Sequence, residues 1–143
     1  MPDESHPARP SRCVFVYGTL RCGGSNDITR LRPAPRFVGA AWVAGALHHL
    51  GAYPGMTLGG SGWVRGEVYA IAPALEALLD EIEDLGAEPT DEYVKREVVV
   101  QLEGQGQAQA LPCLVYEINP RRLGSAPLIA HGDWLGEGNL SLI

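Results

Sequence analysis

Only one stretch of this chain, APALEALLDEIEDLG at 72–86, carries helical periodicity, and that leaves strands and turns for the rest. Leu75, Leu78, Leu79, Ile82 and Leu85 recur at i, i+3, i+4 and i+7, a single apolar stripe suited to lying on a sheet. Pro73 stands near the first helical position and Gly86 where a C-terminal cap belongs. Elsewhere 18 Gly and 11 Pro divide the sequence into short apolar segments, the punctuation of a strand-rich fold. A chain of 143 residues with 45% hydrophobic content can build one core but not two ordinary domains. The expectation is a single α+β domain over 12–143, preceded by a disordered leader, the polar and Pro-rich MPDESHPARPS at 1–11.

The strands are read from their patterns. Cys13 to Tyr17 is a continuous apolar run, which suits a strand buried on both faces, and Gly18 ends it. Gly39 to Leu50 and Val64 to Ile71 are two more candidates, joined by the Gly/Pro-rich stretch GAYPGMTLGGSG at 51–62. Tyr93 to Leu102 alternates, with Val94, Arg96, Val98, Val100 and Leu102 on one face and Tyr93, Lys95, Glu97 and Val99 on the other. Arg96 on the apolar face is expected either to pair with a buried acid such as Glu67 or to mark a face that meets a pocket. The turn EGQGQ at 103–107 leads into Ala110 to Ile118, so these last two strands form an antiparallel hairpin. Pro112 assigns the second of them to an edge or a bulge.

Charge excludes several functions. Seventeen acids against 11 Lys and Arg give a net charge of −6, with no basic face to neutralise phosphates, so nucleic acid is not an expected partner. No apolar run reaches membrane-spanning length, so no membrane partner is expected either. Cys13, Cys22 and Cys113 are odd in number and lack CxxC spacing, which fits a reducing cytoplasm better than a disulfide framework or a zinc site. His48 and His49, adjacent in a strand, point to opposite faces and do not make a two-histidine metal site. Trp42, Trp63 and Trp134 are assigned to core or rim, and the tail GDWLGEGNL at 132–140 to one end of the fold.

Two features could carry chemistry. On a helical wheel Asp80 and Asp84 point nearly opposite the leucine stripe, Glu76 lies farther round toward solvent, and Glu81 and Glu83 sit at the two borders. Only a border position reaches a site between helix and sheet. Carboxylates in the last turn meet the negative end of the helix dipole, which raises their pKa in the direction wanted of a general base. Spacing does not choose between Glu81 and Glu83. The second feature is the strand end VYGTLR at 16–21. A sharp turn there leaves successive backbone N–H groups outside any ladder, a concavity for a carboxylate or an oxyanion. It is not a nucleotide loop, because no GxxxxGK[ST] follows.

Together the motifs VYGTLR at 16–21, AYPGM at 52–56, VRGEVY at 64–69, LDEIED at 79–84 and YVKR at 93–96 resemble the gamma-glutamylcyclotransferase-like (AIG2-like) family in order and spacing over roughly 13–118. The resemblance implies a compact mixed β-barrel with flanking helices and an enzyme that releases 5-oxoproline from gamma-glutamyl compounds. It puts the catalytic glutamate, the last residue of LDxxE, at Glu83. It gives the substrate-cradling role to Tyr17, Gly18, Thr19 and Leu20, and a pocket-lining role to Tyr93 of the Y-x-R-like strand. Arg21, next to the turn, is a candidate to steer an anionic substrate. The family commonly has glycine and an aromatic after its glutamate, whereas Asp84 and Leu85 follow here, a departure that bears on substrate preference.

In such a reaction the substrate's alpha-amino nitrogen attacks its own gamma-carbonyl, so the enzyme needs a base and an attacking conformation rather than a nucleophilic side chain, a metal or a cofactor. The expected partner is a small gamma-glutamyl molecule. A hydrolase or lyase of another amide, or a non-enzymatic binding module of the same fold, would use the same residue types. Production of 5-oxoproline separates them.

Overall fold

The structure is a computed structural model and describes residues 12–24, 27–50, 54–82, 93–103 and 109–134. Five strands and one α-helix are arranged in the order β1 (Arg12–Val16), β2 (Arg36–His49), β3 (Pro54–Ile71), α1 (Pro73–Ile82), β4 (Tyr93–Leu102) and β5 (Gln109–Ile118). Short 3-10 turns lie at Ile28–Arg30 and Pro120–Arg122. The strands close into a barrel in the order β1-β3-β2-β4-β5. All neighbours are antiparallel except β1 and β5, which meet in parallel at Val14 and Leu114 and close the sheet. Closure removes the open edges that an unpaired strand would present.

The barrel fills on two sides. Phe15, Tyr17, Val43, Leu47, Met56, Val64, Val68, Val100 and Val115 form the cluster in its interior. Val14, Val16, Tyr69, Ile71, Leu114 and Tyr116 form a second cluster with Leu75 and Leu79 of α1. The continuous apolar run of β1 has this cause, since Val14 and Val16 face the helix while Phe15 faces inward. Gly66 of β3 admits this packing: a Cβ there would fall 2.3 Å from the Val16 carbonyl oxygen and 2.6 Å from the Phe15 ring.

Three expectations change. The Gly/Pro-rich stretch is not a plain connection, because β3 already begins at Pro54 and pairs with β2 from His49 onward. The register jumps between Ala44–Trp63 and Gly45–Leu58, so residues 59–62 leave the ladder, with Gly59 and Gly60 at φ 89° and 84°. Next, Glu76 does not face solvent; it is 8% exposed and is held by Lys95 of β4, with Arg12 of β1 3.7 Å away. Asp80 also turns to the sheet, with Lys95 at 3.1 Å and the Tyr116 hydroxyl donating to it at 2.8 Å. Finally, Arg96 is neither buried nor paired with Glu67: its side chain is 54% exposed and meets Glu117 at 3.2 Å.

β4 and β5 form the expected antiparallel hairpin, paired without a register shift from Tyr93–Ile118 to Leu102–Gln109, so Pro112, opposite Val99, makes no bulge. Residues 1–11, positions 83–86 of the expected helix and the tail beyond Trp134 lie outside the described residues. Among the described residues no helix is long and apolar enough to cross a membrane.

Candidate functional site

Beyond Val16 the chain leaves β1 and folds back on itself, with Arg21 N–H donating to Gly18 O at 3.0 Å and Ile28 N–H to Leu20 O at 2.9 Å. Two carboxylates fasten this turn from behind. Glu67 of β3 accepts from Arg21 Nε at 3.1 Å, from Cys22 N–H at 2.9 Å and from the Tyr69 hydroxyl at 3.0 Å. Asp27 accepts from Gly23 N–H, Thr29 N–H and the Thr29 hydroxyl at 2.6–2.9 Å. Burial and the neighbouring Glu67 charge raise the Tyr69 pKa, so its hydroxyl remains a donor.

The N–H groups of Arg21, Cys22, Gly23 and Gly24 are thus bound within the protein. The segment before them is Gly18, Thr19 and Leu20. It lines a depression of about 350 Å³, counting the open space at its mouth, together with residues 15–17, Pro54, Tyr93 and Tyr116. Two tyrosines brace the walls. The Tyr17 hydroxyl donates to Tyr116 O at 2.6 Å and accepts Met56 N–H at 3.3 Å, and the Tyr93 hydroxyl donates to Pro54 O at 3.1 Å. A hydrogen-bonded hydroxyl with a buried ring fixes both ends of a side chain.

Tyr17, Gly18, Thr19, Leu20 and Tyr93 therefore meet in one depression, although Tyr93 lies far along the chain from the others. Arg21 does not line it. Its side chain is 7% exposed, and its guanidinium is held by Glu67 and, at 2.6 Å, by Asp133. It is therefore neither a surface residue nor one pointed at the depression. Glu83 lies outside the described residues, one position past the last described residue of α1. Pro54 and Tyr116 were missed by the sequence reading, which treated 51–62 as a connection and had no means of placing β5 beside β1.

Gly18 is where backbone and wall come closest. A Cβ on Gly18 would lie 2.7 Å from Pro54 Cγ and 2.9 Å from Pro54 Cδ. Gly18→Ala is expected to cost about 1–3 kcal/mol, the usual range for overpacking, read as a lower urea midpoint at unchanged slope.

Asp27 supplies a pH dependence. The Gly23 N–H bond, followed by the Thr29 hydroxyl, holds its carboxyl below the ordinary value of 3.8. A folded-state pKa below the unfolded one stabilises above that value, and the contribution is lost as pH falls through the depressed folded pKa. At neutral pH Asp27→Asn is expected to be less stable than the parent by about 1.5–3 kcal/mol, the range for a hydrogen bond to a charged group, because the amide keeps one acceptor oxygen where the carboxylate uses two. Denaturation of both proteins across acid pH should show that gap closing below pH 3.8.

Comparison with known proteins agrees with this architecture. The family model described as "Gamma-glutamyl cyclotransferase, AIG2-like" matches residues 14–136. A Vibrio cholerae protein named "Putative gamma-glutamylcyclotransferase" is 39% identical over 83 residues, which are 52% of this chain and 64% of that protein, slightly under two thirds of its length. An AIG2-like protein from Mus musculus superposes with a TM-score of 0.71 at 25% identity, covering 88% of this chain and 89% of the other. YkqA from Bacillus subtilis gives a TM-score of 0.69 at 25% identity over 92% of this chain, but only 42% of that larger protein. With the model spanning the barrel, α1 and the turn after β1, the chain belongs to the gamma-glutamyl cyclotransferase, AIG2-like family.

Proposed function

We propose that the protein is a gamma-glutamyl cyclotransferase that releases 5-oxoproline and a free amine from a gamma-glutamyl amine or gamma-glutamyl amino acid. The supporting observation is the meeting of the Tyr17–Leu20 turn with Tyr93 around one depression, in a chain of this family. The glutamyl unit lies against the Gly18–Leu20 backbone, whose N–H groups face the alpha-carboxylate or the oxyanion that develops on the gamma-carbonyl. A preorganised donor of that kind is worth about 3 kcal/mol in the transition state. Glu83 removes a proton from the alpha-amino nitrogen, the nitrogen closes the five-membered lactam, and the acid form of Glu83 protonates the departing amine. Folding the substrate into the attacking conformation does the remaining work.

In this reading Arg21 acts from behind the turn, holding it to Glu67 and Asp133, and Tyr93 closes the wall opposite. Cys13, Cys22 and Cys113, odd in number and without CxxC spacing, support a cytoplasmic location. The test is 5-oxoproline release from a panel of gamma-glutamyl amines, gamma-glutamyl-epsilon-lysine and gamma-glutamyl dipeptides. Release from at least one class is expected. Free glutamate in place of 5-oxoproline would make the protein a hydrolase, and no turnover of any panel member by folded protein would count against the reading.

A further inference from the structure

The helix that precedes the proposed base is tied to the wall of the depression by one side chain. Asp80 sits on α1 and accepts the Tyr116 hydroxyl at 2.8 Å. Tyr116 is 3% exposed, lines the depression and also belongs to the cluster beneath α1. Its own carbonyl accepts the Tyr17 hydroxyl at the start of the turn. On the other side Lys95 holds the Asp80 carboxylate at 3.1 Å and is itself held by Glu76, one turn earlier on the same helix. Tyr116 is therefore held at both ends, its hydroxyl by Asp80 of α1 and its backbone carbonyl by Tyr17.

We propose that Asp80 is a positioning residue that moors the Tyr116 ring as a fixed wall of the depression and sets its distance from α1. The inference rests on the cyclotransferase reading for its catalytic consequence. A phenol hydroxyl at the border of an apolar cluster needs a fixed partner to hold its ring in one place. The ionised carboxylate is a stronger and more directional acceptor than a neutral group. Lys95 keeps that carboxylate from swinging away. Glu83 follows Asp80 by three residues in the sequence.

The test compares Tyr116→Phe, which deletes the hydroxyl, with Asp80→Leu, which deletes the acceptor, and with Asp80→Asn, which keeps an acceptor oxygen. For the best substrate of the panel, the first two should lower kcat by about 10- to 100-fold with KM within about twofold, since misplacement near 1 Å costs up to that much. The double variant should be no slower than either single one, because both remove the same contact. Asp80→Asn should recover most of the activity. Folded Tyr116→Phe and Asp80→Leu with kcat within about twofold of the parent would overturn the proposal.

A second readout needs no turnover. Leu20 shares the depression with Tyr116, and its methyl resonances should move in Asp80→Leu as the ring is released. If the parent makes no 5-oxoproline, the cyclotransferase reading fails and this shift alone decides the mooring. Movement upholds it, and coincidence with the parent spectrum overturns it.

Discussion

Glu83→Gln is expected to lower 5-oxoproline release by about 100- to 10,000-fold, the range for loss of a general acid–base group. Glutamine has nearly the same shape and cannot take a proton from the alpha-amino nitrogen. The attacking nitrogen then remains protonated, and the departing amine loses its acid. The helical wheel puts Glu83 at a border of the leucine stripe rather than within it, so the thermal midpoint should stay within a few degrees of the parent. KM should also change little if the turn carries ground-state binding, so the loss should fall on kcat. Equal turnover by parent and variant would remove Glu83 from this role and return the choice to Glu81.

Glu67→Ala should have the largest effect on stability, about 3–5 kcal/mol, the cost of removing one partner of a buried ion pair. Arg21 and Glu67 have side chains 7% and 12% exposed, and the loss also strands Cys22 N–H and the Tyr69 hydroxyl. Such a loss is a large part of the roughly 5–15 kcal/mol available to an ordinary domain. Urea denaturation should show it as a lowered midpoint. Glu67→Gln, which keeps an acceptor for some of these donors, should lose less. Glu67→Met combined with Arg21→Met should be more stable than Glu67→Ala, since no buried charge is then left without its partner. A destabilisation below about 1 kcal/mol for Glu67→Ala would show that Asp133 alone satisfies Arg21 and that the turn stands without Glu67.

The strands that could be read from the chain were those whose sequence repeats the geometry of the sheet. β1 is a continuous apolar run because both its faces are covered. The β4–β5 hairpin shows itself through local alternation and a Gly-containing turn, which need only neighbours in sequence. The first half of β3 was hidden because Pro54, Gly55, Gly59 and Gly60 read as a loop, while pairing with β2 holds Pro54 to Leu58 extended and leaves only 59–62 outside the ladder. The helical wheel misplaced Glu76 and Asp80 because it ranks positions by apolar neighbours alone. It does not know that β4 brings a lysine, and β5 a tyrosine hydroxyl, to meet two carboxylates at the sheet.

The partners of charged residues were illegible for the same reason. Glu67 pairs with Arg21 rather than Arg96, because the end of β1 lies beside β3 whereas Arg96 lies opposite Val115 and reaches Glu117. Such pairings depend on strand order, and strand order leaves no mark on local periodicity. The sequence by itself determined a strand-rich chain with one amphipathic helix, a sharp turn after β1 and, through its motifs, the family. Tertiary structure alone decided that β1 closes against β5, that Tyr116 and Pro54 join the turn around one depression, and that Arg21 is turned away from it. Closure of the barrel is a long-range event, and only when it has occurred do residues about a hundred positions apart, such as Tyr17 and Tyr116, come within a hydrogen bond of each other.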